Sequence, residues 1–296
     1  MPRPPGQRDY ASYSAALVRS TVDAVERGQI PRGQYGAVLI DEGHDFEPDW
    51  FRRVAQMVDP ATNSLLLLYD DAQSIYTKGR RKKFSFARVG IQAQGRTTIL
   101  RLNYRNTVEI LSVAKAFAEE LLNPEDADED GVPVIAPESA GRRGPIPELI
   151  RCASANDEAG LIAERISHEQ AQGRSLSDIA VLLRFRNQAQ QITQQLGRRG
   201  IAYRLAAGQD GKRALFEGEP SVKLFTLHSS KGLKFGATFI PRLCEIGKSE
   251  DEQADEARLL YVGMTRATER LVLTHVRAGA FCARVQAAIT AVGAAA

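Results

Sequence analysis

Two adjacent acidic residues follow the first strongly apolar segment of the sequence. Residues 37–40 (Ala-Val-Leu-Ile) form a β-type run, and Asp41 and Glu42 come directly after it. A buried strand would hold the first carboxylate in place to bind Mg²⁺, while the second could orient or deprotonate a water molecule. Taken alone, the pattern is better explained by a strand that simply ends in polar residues.

A second polar segment follows the apolar run 65–69. Gln73 could hydrogen-bond a phosphate and sense its loss, and Tyr76 could stack on a nucleobase. The alternative is a turn with a packed tyrosine. Next to Tyr76 lies a basic run that could hold phosphates, formed by Lys78, Arg80, Arg81, Lys82 and Lys83.

Tyr104 and Arg105 close a third apolar run, just before a helical pattern. The forked guanidinium of an arginine suits a γ-phosphate, and a neighbouring tyrosine can stack on a purine ring. An arginine–carboxylate pair beside a half-buried tyrosine would give the same pattern.

Two further groups lie near the C-terminus. Thr226, His228 and Lys231 follow an apolar run, where hydroxyl and cationic groups could grip a nucleic-acid phosphate. The segment 252–267 predicts a helix, on which Arg258 and Arg266 would lie roughly 80° apart. The apolar residues between them would pack inward and could aim Arg266 into a cleft. The alternative is a solvated helix arginine.

The elements that position these residues alternate between strand and helix patterns, which predicts an α/β fold of parallel sheets flanked by helices. Ligands of such sheets gather at the carboxyl ends of the strands. Trp50 is expected on the core-facing side of the predicted helix 46–58. We predict strands at 37–40, 65–69, 98–102, 149–150, 179–183, 222–226, 237–240 and 271–274, helices at 46–58, 107–122, 158–172, 188–199 and 252–267, and a loop at 123–147.

Composition narrows the class of protein. The 296 residues suggest about two domains, and 43% hydrophobic with 25% charged residues is typical of a globular chain. No run approaches the roughly 18–20 apolar residues of a membrane span. The cysteines, Cys152, Cys244 and Cys282, are far apart and odd in number, which favours a reduced, cytoplasmic location over a disulfide framework or zinc site. A net charge of +3 does not by itself indicate a nucleic-acid partner.

In this order, the polar segments resemble motifs of the UvrD/Rep-type superfamily 1 DNA helicases, specifically their C-terminal part. The matching segments are 41–45 for motif II, 70–76 for motif III, 103–105 for motif IV, 226–233 for motif V and 260–267 for motif VI. The resemblance implies RecA-like domains of the P-loop NTPase type. The first would be partial (1–95), and the second nearly complete (96–296), without a large accessory insertion.

The resemblance also implies an ATP-dependent, 3′–5′ enzyme that moves on single-stranded DNA, and it assigns roles by position. Asp41 would bind Mg²⁺, and Glu42 would be the general base. Contacts to ATP would come from Gln73 as γ-phosphate sensor, Tyr104 as adenine platform, and Arg105 and Arg266 as arginine fingers. Single-stranded DNA would contact Tyr76, Lys78, Arg80, Arg81, Thr226, His228 and Lys231.

One family feature is missing from the sequence, the phosphate-binding loop G-x-x-x-x-G-K-[ST]. Gly247-Lys248-Ser249 is not such a loop, because residue 242 is Arg242 rather than glycine. We therefore expect weak nucleotide binding and negligible turnover by this chain alone, with the loop on upstream sequence or on a separate polypeptide. Two alternatives are a non-catalytic module that binds single-stranded nucleic acid or a partner, and a truncated reading frame whose first sheet exposes one face.

Overall fold

A computed structural model describes residues 10–69, 85–119, 137–206, 215–248 and 253–295. The chain divides into two compact units. The described part of the first unit is 10–69 and 85–99, and the second unit contains the described residues from Leu100 onward. Within these ranges, no helix is both long and apolar enough to cross a bilayer.

The first unit is built on a short parallel ladder, in which β1 (Val38–Ile40) pairs with β2 (Leu65–Leu67). Its helices are α1 (Tyr10–Glu26) and α2 (Pro48–Met57). One face of the ladder packs on a small apolar core formed by Ile40, Phe51, Phe86, Val89 and Ile91. Successive side chains of a strand point to opposite faces. Leu39 accordingly lies on the other face, where it is 74% exposed.

The second unit contains a six-stranded sheet in the order β5-β10-β9-β6-β8-β7, with every neighbouring pair parallel. Its carboxyl ends therefore meet at one edge. A separate ladder joins β3 (Leu102–Asn103) and β4 (Glu138–Ser139). The strands of the large sheet are β5 (Glu148–Arg151), β6 (Ile179–Leu183), β7 (Tyr203–Leu205), β8 (Val222–Thr226), β9 (Phe235–Ile240) and β10 (Ala267–His275).

Helices cover both faces of this sheet. On one face, α4 (Ala155–Ala171) and α5 (Ala189–Arg198) bury apolar side chains against Val181 and Leu183. Leu182 points the other way, toward α6 (Gln253–Met264): a Cβ added at Gly263 would lie 3.7 Å from Leu182 Cδ1. The remaining helices, α3 (Val108–Phe117) and α7 (Ala280–Ala295), pack on each other. Because both faces are covered, all five residues of β6 are buried.

The predicted α/β class of parallel strands and flanking helices is confirmed, and strands 179–183 and 222–226 have the predicted bounds. The interpretation of Trp50 as a core residue is wrong. Its neighbour Phe51 is fully buried, whereas Trp50 is partly exposed. The described part of the predicted loop, from 137 onward, also contains the short strand β4.

The predicted helix 252–267 ends at Met264. Ala267 instead begins β10 and pairs with Phe235 of β9. Arg266 therefore lies in the turn between α6 and β10. Because it is not part of the helix, the predicted helical angle between Arg258 and Arg266 does not apply. Pairing with β9 overrides the predicted helical pattern at this point of the chain.

Candidate functional site

The acidic pair lies at the carboxyl end of β1, as its position after an apolar run predicts. Asp41 is exposed, and its Oδ1 accepts the backbone N–H of Glu42 at 2.9 Å. Glu42 is in the left-handed conformation (φ 54°). The following turn is tied to the end of β2, because the Gly43 N–H donates to the Leu68 carbonyl at 2.8 Å. A Cβ at Gly43 would lie 2.3 Å from Leu67 Cδ1 and 3.1 Å from the Leu68 carbonyl oxygen, so a larger residue here would force the Leu67 side chain to move.

A histidine supports the second carboxylate. His44 Nε2 lies 3.1 Å from Glu42 Oε2, and the His44 ring is buried edge-on against Tyr69. Among the described residues there is no group of three or more His, Cys, Asp or Glu side chains suited to a metal ion. Mg²⁺ commonly takes one or two carboxylates and fills its other positions with water and phosphate oxygens. The exposed Asp41 carboxylate fits such a ligand.

The other predicted site residues of the first unit lie outside the described residues. They are Gln73, Tyr76, Lys78, Arg80 and Arg81.

Tyr104 and Arg105 lie at the end of β3 in the second unit. Tyr104 is 73% exposed, and Arg105 is exposed as well. The turn that carries them is shaped by Asn103, whose Oδ1 accepts the backbone N–H groups of Arg105 and Asn106 at 2.8 and 3.0 Å. Both side chains are therefore held where a ligand in solution can reach them.

Asn106, which sequence reasoning missed, joins this turn to the turn that carries Arg266. Its side chain is almost fully buried, and Nδ2 donates to the carbonyls of Thr265 at 3.0 Å and Ala267 at 2.5 Å. Its Oδ1 accepts from Asn103 Nδ2 at 2.9 Å. The only sequence signal was an asparagine just before a helix N-cap.

Arg266, which the helical argument aimed into a cleft, is buried in the turn between α6 and β10. It is 1% exposed, and its Nε donates to the Val262 carbonyl at 3.0 Å. Its Nη1 donates to the Leu233 carbonyl at 3.3 Å. The guanidinium is therefore anchored to two backbone carbonyls and shielded from solvent.

Thr226 begins a tight turn at the carboxyl end of β8. Its Oγ1 accepts the Ser229 N–H and donates to Ser229 Oγ at 3.1 Å, which caps the 3₁₀ helix Leu227–Ser230. His228 and Lys231 are both half-buried on this turn. The structure thus places three of the seven residues predicted to contact nucleic acid on one turn, and the other four lie outside the described residues.

The protonation of His228 is set by its surroundings. Burial lowers the pKa of His228, and the nearby Arg184 guanidinium lowers it further, while Glu256 acts in the opposite direction. Arg184 follows β6 and forms a bidentate pair with Glu256 of α6, with Nε–Oε2 at 2.9 Å and Nη2–Oε1 at 2.5 Å. Neither residue was predicted, although Arg184 also follows an apolar strand.

These observations define the class of protein: a parallel α/β domain that carries helicase motifs at strand ends. More specifically, the chain belongs to the family described as UvrD-like helicase C-terminal domain, whose model matches residues 98–211 and 209–278. These matches span more than half of the chain.

Individual relatives agree with this family. An ATP-dependent DNA helicase Rep of Buchnera aphidicola (strain APS) is 43% identical over 65 residues, which is 20% of this chain and 10% of that protein. An ATP-dependent DNA helicase PcrA of Leuconostoc citreum is 40% identical over 78 residues, 24% of this chain and 10% of that protein. A probable DNA helicase II homolog of Mycoplasma capricolum is 24% identical over 178 residues, 60% of this chain and 23% of that protein. The chain thus spans between a tenth and a quarter of the length of these relatives.

Among solved structures, the C-terminal domain of a possible DNA helicase from Lactobacillus plantarum WCFS1 has a TM-score of 0.44 and 18% identity. The similarity covers 63% of this chain and 96% of that one.

Proposed function

We propose that this chain is the C-terminal part of an ATP-dependent DNA helicase or translocase that moves 3′–5′ on single-stranded DNA. The second unit grips the DNA backbone through Thr226, His228 and Lys231. It meets ATP through Tyr104 and Arg105. Tight nucleotide binding requires a phosphate loop, which this sequence lacks and which another stretch of polypeptide would supply.

The observation that carries this proposal is the link made by Asn106. It joins the turn of Tyr104 and Arg105 to the turn of Arg266, and these are the residues proposed to sense ATP. A buried polar bridge between two such turns transmits a displacement of one to the other, because breaking it would leave buried carbonyls unpaired. Tyr104 is exposed enough to stack on adenine, and Arg105 has the geometry for a phosphate.

Arg266 completes this half of the nucleotide site in the proposal. Its guanidinium is close to the Asn106 link but is held by the Val262 and Leu233 carbonyls. Arrival of a γ-phosphate would offer stronger, charge-assisted partners than these neutral carbonyls. Arg266 would then exchange partners and act as an arginine finger, a role worth on the order of 10³–10⁵ in rate in related NTPases.

The first unit would supply the residues that bind Mg²⁺ and activate the attacking water. Asp41 would hold Mg²⁺, which supplies charge stabilisation to the phosphates, and Glu42, supported by His44, would orient and deprotonate the attacking water. Gln73 as γ-phosphate sensor is part of the proposal, as are the DNA contacts of Tyr76, Lys78, Arg80 and Arg81.

A second candidate function is a non-catalytic module that binds single-stranded nucleic acid or a partner protein. One observation favours it: the sequence contains no G-x-x-x-x-G-K-[ST]. A chain of this kind would use the Thr226–Lys231 turn and not the acidic pair.

Fluorescence anisotropy of a labelled oligo(dT) with the purified chain tests these functions, at two salt concentrations and with or without a non-hydrolysable ATP analogue. We expect salt-sensitive binding whose affinity changes with the analogue. Arg105→Ala should abolish the response to the analogue, and Arg198→Ala, an exposed arginine at the end of α5, should preserve it.

Binding that is indifferent to the analogue would favour the non-catalytic module. No binding would contradict the helicase proposal and the nucleic-acid-binding form of the module, and would leave only binding of a partner protein. ATP turnover by the chain alone should be negligible. Steady turnover that Glu42→Gln abolishes would show that the phosphate loop is not needed.

A further inference from the structure

An exposed aromatic ring lies at the carboxyl edge of the large sheet, and none of the roles above uses it. Phe185 comes two residues after the end of β6 and is 44% exposed. Its position is set by backbone bonds. The N–H groups of Arg184 and Phe185 both donate to Gln188 Oε1, at 2.9 and 3.0 Å. The sequence thus holds a large apolar side chain outward on an ordered turn, where burial cannot explain it.

The register of the sheet places this ring beside the proposed DNA-binding turn. Leu183, the last residue of β6, pairs with Thr226, the last residue of β8. Phe185 and His228 therefore both lie two residues beyond the carboxyl ends of neighbouring strands that are in register. The influence of Arg184 on the pKa of His228 agrees with this proximity.

The Arg184 guanidinium also packs on the Phe185 ring and restricts its motion. The Arg184 guanidinium carbon lies 4.5 Å from the centroid of the Phe185 ring, within the range of a cation–π contact. Arg184 is itself held by Glu256. A ring fixed in this way loses little side-chain entropy when a flat ligand stacks on its exposed part.

The surrounding charges favour an anionic ligand. Arg186, one residue beyond the ring, is exposed and donates to the Ala206 carbonyl, and among the described residues it forms no ion pair with a carboxylate. Lys231 ends the neighbouring turn, where its Nζ is buried beneath the surface. The carboxylates next to these groups are engaged locally: Glu256 by Arg184 and Glu245 by Gln188 Nε2 at 2.8 Å. An aromatic ring among cations is the chemistry of sites that bind single-stranded nucleic acid.

We propose that Phe185 is a stacking platform for a nucleobase of single-stranded nucleic acid whose backbone lies on the Thr226–Lys231 turn. This inference rests on the proposed function, since it needs a strand bound at that turn. Every base has a π-face, so the platform is expected to tolerate any sequence.

The test compares oligo(dT) with an oligomer of equal length made of abasic sites, by anisotropy with the wild-type chain and three variants. Phe185→Ala and Phe185→Leu should weaken oligo(dT) binding about 5- to 100-fold, the effect of losing one base stack. Phe185→Trp should bind as wild type, and its added tryptophan fluorescence should be quenched by oligo(dT). On the abasic oligomer, wild type and Phe185→Ala should bind equally.

Phe216 offers a matched control, because it is 49% exposed but stacks on Phe235 at the amino end of β9. Phe216→Ala should leave oligo(dT) affinity unchanged. If Phe185→Ala binds oligo(dT) as tightly as wild type does, the stacking role is overturned and the proposed function stays intact. The same holds if Phe185→Ala loses equal affinity for both oligomers. If wild type binds neither oligomer, the proposed function fails and the platform fails with it.

Discussion

Asn106→Ala is expected to destabilise the second unit far more than a surface asparagine change would. The substitution removes two buried donations, to Thr265 O and Ala267 O, and the bond accepted from Asn103. At about 1 kcal/mol each, with an extra cost for any carbonyl left unpaired, the loss in free energy of unfolding should be about 2–4 kcal/mol. Asn106→Asp should lose a similar amount, because a carboxylate cannot donate to these carbonyls.

Urea denaturation followed by circular dichroism measures this difference. Asn156→Ala is the matched control: Asn156 is exposed and accepts a single bond, from Gln195 Nε2 at 3.0 Å. We expect it to cost less than about 1 kcal/mol. If Asn106→Ala and Asn156→Ala shift the urea midpoint equally, the bridge between the two turns has no energetic weight, and the coupling drawn from it is refuted.

Three further measurements test the packing and the charges of the second unit. Gly279→Ala should lower the free energy of unfolding by about 1–3 kcal/mol, because its Cβ would lie 2.6 Å from Cys244 Cα. Gly160→Ala, with open space inside α4, should raise it by about 0.5–1 kcal/mol, so a change of the same sign in both variants would contradict one of the two. Because burial and Arg184 lower the pKa of His228 below 6.5, stability should be complete above pH 6.5 and fall as the pH drops toward the folded pKa; His228→Gln should flatten that loss in urea titrations. The three buried, free cysteines should react with Ellman's reagent only after unfolding in urea, so rapid labelling of the native protein would disprove their burial.

Local patterns were sufficient for much of the fold because parallel strands buried on both faces read as continuous apolar runs. For this reason β6 and β8 have their predicted bounds. Patterns failed where pairing decided the outcome. Ala267 looks helical by sequence, but it pairs with Phe235 as a strand residue. The edge strand β7 (Tyr-Arg-Leu) was missed because it is short and not continuously apolar.

The candidate functional site was likewise predictable only in part from local sequence. Residue type and position after a strand marked Asp41, Tyr104 and Thr226 as candidates, because the carboxyl ends of parallel strands are where such sheets bind ligands. The resemblance to helicase motifs was needed to assign their roles. The acidic pair and the Thr226 turn both lie at strand ends, as predicted. Whether each residue performs its proposed chemistry stays a prediction.

The sequence by itself determined the parallel α/β class, the helicase motifs and the polar residues at strand ends, since all of these are encoded in short stretches of chain. Only the tertiary structure decided what those residues touch. Asn106 donates a hydrogen bond to the Thr265 carbonyl, 159 positions away in the sequence, and Arg184 pairs with Glu256, 72 positions away. Contacts this distant depend on how strands and helices stack, and no local period or spacing specifies them. The burial of Arg266 is a consequence of the same long-range packing.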